Sequence, residues 1–237
     1  MKLSLIRFLK KTFIRLRLHV LFGWCIPFWQ QYTWMTRLSK WADQNKNIEY
    51  NDFPTKWNYD KRFELYKYVI AKEVLSGPIN YLEFGVASGA SFNFWMTENS
   101  DPGSRFYGFD TFTGLPEDFG PYKKGMFNTN NNIPEIKDDR GIFHQGLFQQ
   151  TLPVFLKDFD NNKKTVLMLD ADLYSATLYT LTSLAPFLKK DDIIFFDEFA
   201  VPTHEFMAFQ NFTSSYYFNL ELIAAANNYY FVAFKVK

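Results

Sequence analysis

The 237-residue chain has a single cysteine, Cys25, so no disulfide can form within it, and the sequence suits a reducing compartment, the cytoplasm. Cys25 sits in the apolar stretch 22–29 with no histidine beside it, the setting of a packing residue rather than of a nucleophile. There are only three histidines, and no Cys or His spacing resembles a zinc site. Net charge is nearly absent: 26 basic residues stand against 25 acidic ones, which excludes a globally electropositive nucleic-acid binder. No uncharged apolar run approaches the ~20 residues that a membrane-spanning helix requires. Internal repeats are missing as well. What the chain has in excess is aromatic residues, 20% of the total, within a hydrophobic content of 47% that excludes a disordered chain. Its length suits one large domain, or one domain with an appendage.

The first 45 residues differ from the rest. Lys2, Arg7, Lys10, Lys11, Arg15 and Arg17 crowd together, and no acid precedes Asp43. At helical spacing Leu5, Ile6, Leu9, Phe13, Leu16 and Val20 share one face, and most of the basic residues share the other. A signal peptide is disfavoured: the basic residues extend far inward and no small-residue cleavage site follows. Two readings of this arm stand. It lies on an anionic membrane surface, a peripheral contact of residues 1–34 at the inner face with Trp24, Trp29 and Trp34 at headgroup level. Alternatively it packs on the domain or on a second subunit of a homo-oligomer, which is the preferred reading.

From about residue 59 the pattern alternates between helix and strand. Helices are expected over 61–75, 90–97, 176–189 and 205–212. Strands are expected over 80–84, 105–109, 141–145, 165–169 and 192–196, and an antiparallel hairpin over 216–224 and 229–236. This alternation predicts an α/β fold: a doubly wound, mostly parallel Rossmann-like sheet, with a helical N-terminal arm and a C-terminal hairpin, and the domain proper spanning 46–237. The long connection 111–140 is a candidate lid.

In such a sheet ligands bind at the carboxyl ends of the strands. After the first expected strand comes Glu83-Phe-Gly-Val-Ala-Ser-Gly89, a glycine turn that lets the backbone approach a ligand at a helix N-terminus. Asp110 ends the second strand, twenty-one residues beyond Gly89. An acid at that spacing is placed to hold ribose hydroxyls, so the two features indicate a nucleoside cofactor. The G-x-G-x-x-G pattern of dinucleotide sites is absent. S-adenosylmethionine is therefore favoured over NAD, and an NAD-dependent oxidoreductase remains the rival, with a non-catalytic membrane-associated binding module as the second. Asp170 and Asp172 end one strand, Asp197 and Glu198 the next. Converging carboxylates need a compensating cation or proton, and an oxygen-only set selects Mg²⁺ or Ca²⁺. Capping of the following helix is the plainer role for any one of them. His204 is the best-placed histidine for a general base. Phe112 and Phe148 flank the expected cofactor site.

These residues resemble a known family. Tyr81-Leu-Glu-Phe-Gly-Val-Ala-Ser-Gly-Ala-Ser91, Phe106-Tyr-Gly-Phe-Asp-Thr-Phe-Thr-Gly-Leu-Pro-Glu117, Gln145-Gly-Leu-Phe-Gln-Gln-Thr-Leu-Pro153, Leu169-Asp-Ala-Asp-Leu-Tyr-Ser-Ala-Thr177 and Phe196-Asp-Glu-Phe199 are similar, in this order, to motifs of the macrocin O-methyltransferase (TylF/MycF-like) family. The resemblance implies a class I S-adenosylmethionine-dependent methyltransferase fold, and methylation of a sugar hydroxyl, on a small molecule or glycan, with Mg²⁺. Glu83, Gly85 and Ser91 would line the methionine and ribose end of the cofactor, with Ala87 and Ser88 of the turn. Asp110 would hold the ribose, with Thr111 and Phe112 following it. Gln145, Gly146 and Phe148 would flank the adenine. Asp170, Asp197 and Glu198 would bind the metal, and Asp170 or His204 would remove the acceptor's proton. Two departures stand out: Asp197-Glu198 replaces the family's commoner pair of aspartates, and the arm has no counterpart.

Overall fold

The computed structural model describes residues 2–54 and 56–237. The arm comprises α1 (Leu3–Arg15), α2 (His19–Phe22), a 3₁₀ turn (Gly23–Cys25) and α3 (Ile26–Gln44), followed by a short strand β1 (Tyr50–Asn51) and α4 (Lys61–Lys72). Then come β2 (Ile79–Phe84), α5 (Ala90–Glu98), β3 (Arg105–Asp110), β4 (Gly141–Gln145), α6 (Phe148–Phe155), β5 (Lys164–Leu169), α7 (Tyr174–Leu184) and β6 (Ile193–Phe196). The chain closes with α8 (Glu205–Tyr216), β7 (Leu220–Ala226) and β8 (Phe231–Val236).

The strands form one eight-stranded sheet in the order β1-β7-β8-β6-β5-β2-β3-β4. Strand β8 runs against both its neighbours, and the other pairings are parallel. The order reverses between β2 and β5, and that switch point lies where the glycine turn and Asp170 meet.

Why the central strands read as unbroken apolar runs is visible in the two layers they face. Tyr81, Phe106, Val166, Met168 and Phe195 point to the side covered by α4 and α5, where Tyr66, Phe92 and Trp95 complete the core. Their neighbours Leu82, Phe84, Phe109, Leu167, Leu169 and Phe196 point to the opposite side, covered by α6, α7, α8 and the second half of α3. Each fully buried aromatic contributes roughly 1.5–3 kcal/mol relative to exposure. The aromatic surplus is thus largely core: Tyr66, Tyr81, Phe84, Phe92, Trp95, Phe106, Phe109, Phe195 and Phe196 are each at most 2% exposed.

The boundaries differ from expectation for local reasons. Helix α4 stops at Lys72 because Val74 adopts φ +53°, and α8 runs on to Tyr216, where Tyr217 turns left-handed, so the hairpin begins only at Leu220. Helix α7 starts two residues early and ends at Leu184 instead of 189. Helix α6 has no clear sequence signal because Pro153 lies inside it, nor has β1, whose two residues carry no periodicity. In the arm, Trp34 is not a free headgroup anchor: it packs edge-on against Phe206 at 6.2 Å, and Trp41 meets Phe199 at 4.8 Å. No helix among the described residues is long and apolar enough to cross a membrane.

Candidate active site

The carboxyl ends of β2, β3, β5 and β6 open into one cavity of about 600 Å³. Its floor is the turn after β2. Gly85 has φ +96°, and a Cβ there would lie 1.8 Å from the Asp170 carbonyl oxygen, so only glycine allows β2 and β5 to close this tightly. The turn is held from β3. One Asp110 oxygen accepts the Val86 and Ala87 N–H groups, both at 2.8 Å, and the other accepts Phe112 N–H at 2.7 Å. The carboxylate thereby fixes two strand ends in one geometry and still borders the cavity, with lone pairs left for a ligand hydroxyl. Ala87, Phe112 and Asp172 all take positive φ at these strand ends. Such strain in non-glycine residues gathers where a structure is built around a ligand.

Opposite the turn stand the carboxylates. Asp170, Asp172 and Glu198 line the cavity, and Asp197 is buried behind them at 2% exposure. The compensating cation is part of the chain: Arg62 of α4, itself 5% exposed, places Nη1 3.5 Å from Asp197 and 3.7 Å from Asp170. Tyr66 donates its hydroxyl to the other Asp197 oxygen at 3.1 Å. Tyr59 stacks on the guanidinium at 4.0 Å and accepts from it at 2.6 Å. Burial and then the charges of Asp197 and Asp110 push Asp172 up to about 7. Burial, Asp172 and Asp197 push Glu198 up to about 8. Asp170 is held well above the usual carboxylate range by burial, Asp197 and Asp172. Behind Glu198, the fully buried Glu205 accepts its backbone N–H at 3.0 Å.

The metal expectation finds no support in the geometry. Among the described residues no group of three or more His, Cys, Asp or Glu side chains has metal-holding geometry. Both oxygens of Asp197 already face Tyr66 and Arg62, and the positive charge between Asp170 and Asp197 is that guanidinium. The set Asp170, Asp197 and Glu198 therefore does not fit Mg²⁺ as folded.

The other expected site residues divide. Gly85, Ala87, Asp110, Thr111 and Phe148 line the cavity together. Glu83, Ser91 and Phe112 are buried beneath its wall, and burial raises Glu83 to about 8 although the Tyr81 hydroxyl bonds it at 2.5 Å. Ser88, Gln145 and Gly146 stand apart from the lining; Gln145 reaches Asn131 of the 111–140 connection at 3.1 Å. His204 is outside it too. Its Nδ1 accepts Tyr174 N–H at 3.4 Å, its ring packs edge-on against Phe119 at 4.8 Å, and burial lowers its pKa. The 111–140 connection contributes Leu115, Tyr122 and Phe127 to the cavity wall. Trp57, Tyr59 and Tyr230 form its other rim. Arg62 and these rim aromatics carried no motif signal, whereas Asp172 stood among the strand-end acids. The one clue to Arg62 was an arginine in an otherwise amphipathic helix.

Residues 82–199 match the Methyltransf_24 family, described as a methyltransferase domain. No curated protein matches the sequence significantly. Among solved structures, the calicheamicin methyltransferase CalS11 superposes with a TM-score of 0.59 at 20% identity, covering 87% of this chain and 92% of its own. The O-methyltransferase NovP gives 0.55 at 18% identity, with 76% and 79% covered. TomG from Streptomyces achromogenes, an O-methyltransferase of tomaymycin synthesis in complex with S-adenosylmethionine, gives 0.51 at 13%, with 77% and 82% covered. The matched segment holds the glycine turn, Asp110, Asp170, Asp172, Asp197 and Glu198.

Proposed function

We propose that this S-adenosylmethionine-dependent methyltransferase transfers the methyl group to a hydroxyl of a sugar, either free as a nucleotide sugar or borne on a small molecule or glycan. The observation that carries the reading is the cavity itself. It joins the Gly85–Asp110 cofactor turn to a wall of carboxylates of raised pKa, rimmed by aromatic rings. One solved relative is described as a TDP-rhamnose 3′-O-methyltransferase, an acceptor of the same chemical class.

In this reading the cofactor's ribose hydroxyls bond Asp110, and its methionine portion lies over Gly85 and Ala87. The adenine packs beside Phe148. The sulfonium makes the methyl carbon electrophilic, so what the protein adds is in-line placement of the acceptor oxygen and removal of its proton. The acceptor oxygen forms the new C–O bond as the C–S bond breaks, and the bonding pair returns to sulfur, leaving S-adenosylhomocysteine. The acceptor proton passes to a cavity carboxylate. Asp172 suits this role: it lines the cavity, whereas Asp170 is tied to Arg62 and Asp197. A carboxylate raised to about 7 is a far stronger base than an ordinary one. Trp57, Tyr59 and Tyr230 offer ring faces to the apolar side of a sugar.

The test is calorimetry with S-adenosylhomocysteine against NAD, followed by transfer of labelled methyl to a panel of nucleotide sugars. Binding of the first alone, and a product heavier by one methylene, are expected. Binding of NAD instead would return the assignment to an oxidoreductase.

A further inference from the structure

The arm lies outside everything the methyl-transfer reading explains. None of α1, α2, the 3₁₀ turn or α3 contains a buried residue. Large apolar side chains stand in solvent along its first half, among them Phe8 at 63%, Ile14 at 79%, Val20 at 72%, Trp24 at 84% and Phe28 at 64% exposed. Beside them, residues 2–42 carry eight Lys and Arg side chains and no acid. The arm's first anchors to the body are Gln31, bonded to Thr203 at 3.3 Å, and Trp34; among the described residues no hydrogen bond, ion pair or ring contact ties what precedes them to the body. Between α1 and α3 an apolar cleft of about 590 Å³ opens, with Phe13, Phe22, Ile26 and Trp29 on its walls.

A partner for this surface must satisfy both an apolar face and a one-signed charge. A second copy of the chain does not satisfy both at once. Pairing arm with arm covers the apolar face but brings two sets of uncompensated cations together. Docking the arm on another body needs an acidic apolar patch there. Residues 43–237 do hold 25 acids against 18 basic residues, yet that excess is internal. Glu83, Asp192, Asp197 and Glu205 are buried, and Asp170, Asp172 and Glu198 line the cavity. With Arg62 buried too, the outer surface is close to neutral. Of the body's exposed apolar residues, Trp57, Tyr59, Tyr122, Phe127 and Leu147 line the cavity, and others such as Val74, Ile142 and Val154 are spread along the chain. We propose that residues 3–32 form a docking surface for an anionic phospholipid bilayer. Lipid headgroups neutralise the lysines and arginines while Phe8, Trp24, Phe28 and their neighbours enter the acyl boundary. Aromatic side chains with a polar handle, such as Trp24, Trp29 and Tyr32, favour that interface.

The experiment uses the full chain in a flotation assay with vesicles of phosphatidylcholine alone, or of phosphatidylcholine mixed with phosphatidylglycerol, whose anionic surface attracts Lys and Arg. Flotation with the anionic vesicles only is expected. It should fall at least about tenfold in the Lys10→Glu, Lys11→Glu double variant and in Trp24→Asp, since single-sign cations and the apolar face act together. Because these positions are exposed, both variants should keep the parent's melting temperature and its S-adenosylhomocysteine affinity. Failure to float, or equal flotation with neutral vesicles, overturns the proposal. So does a dimer in light scattering that Trp24→Asp converts to monomer, since the arm then belongs to a second copy. The outcome does not depend on whether methyl transfer is the reaction.

Discussion

The arm and the cavity manage charge in opposite ways. In residues 2–42 every formal charge is positive and solvated, without an acid to pair with. At the ends of β5 and β6 the acids are withdrawn from bulk water, and burial and mutual repulsion raise their pKa values around the single guanidinium of Arg62. A charge in water can be changed at little cost; a charge in the core cannot, because its partner is then left buried and unpaired. The chain's net charge of +1 conceals this division. A nearly neutral total is here the sum of a basic appendage and an acidic interior.

The sharpest way to break the comparison is to remove one cation from each region. Arg62→Leu leaves Asp197 and Asp170 facing each other in a buried site, and should lower stability by roughly 3–5 kcal/mol in urea unfolding. Methyl transfer should fall with it. Lys10→Gln with Lys11→Gln should stay within about 0.5 kcal/mol of the parent, as surface changes do. The same contrast exists among tryptophans of the arm. Trp41 packs on Phe199, Phe206, Phe209, Tyr229 and Phe234, so Trp41→Ala should cost about 3 kcal/mol by cavity formation. Trp24→Ala, at 84% exposure, should cost nothing measurable in the same assay.

A smaller effect is expected at Asp110. Its carboxylate collects three backbone N–H groups from two strand ends. Asp110→Ala should destabilise by roughly 1–3 kcal/mol, the cost of leaving charge-assisted donors unmet. It should weaken S-adenosylhomocysteine binding by more than tenfold in calorimetry. An unchanged affinity would overturn the role proposed for Asp110 in holding the cofactor.

These contrasts also show what could be read from residues in order. The central strands were legible because Leu82, Phe84, Val166, Leu167 and Ile194 form runs that only a two-sided burial explains. The glycine turn and Asp110 were legible because their spacing is local to one strand–helix–strand unit. Arg62 was not, since it lies 108 positions before Asp170 and 135 before Asp197, and only the docking of α4 on the sheet brings it there. The same holds for Trp57, Tyr59 and Tyr230, which reach the cavity from opposite ends of the domain. Pairing of charges across a sheet end is a tertiary fact. The acids alone, seen without Arg62, suggested a metal.

The last contrast is in pH. Asp172, Glu198 and Glu83 are held at about 7, 8 and 8, against ordinary values of 3.8, 4.5 and 4.5. Between those values the folded chain binds protons that the unfolded chain has released, so stability falls as pH rises. Their contribution is complete below about pH 4 and is lost as pH climbs through 7 to 8. The arm holds no carboxylate before Asp43 and so contributes no group of this kind. The melting temperature should therefore decline steadily from pH 5.5 to 9, and deletion of residues 1–30 should leave that slope unchanged. Activity should run the other way, because the base must lose the proton that stabilises the fold. Asp172→Asn separates the two: an asparagine tolerates the positive φ of +59° at this position, so the fold persists. That variant should show a shallower fall of melting temperature with pH and a loss of turnover of about a hundredfold or more. A variant that keeps the parent's pH–rate profile would show that another cavity carboxylate takes the proton.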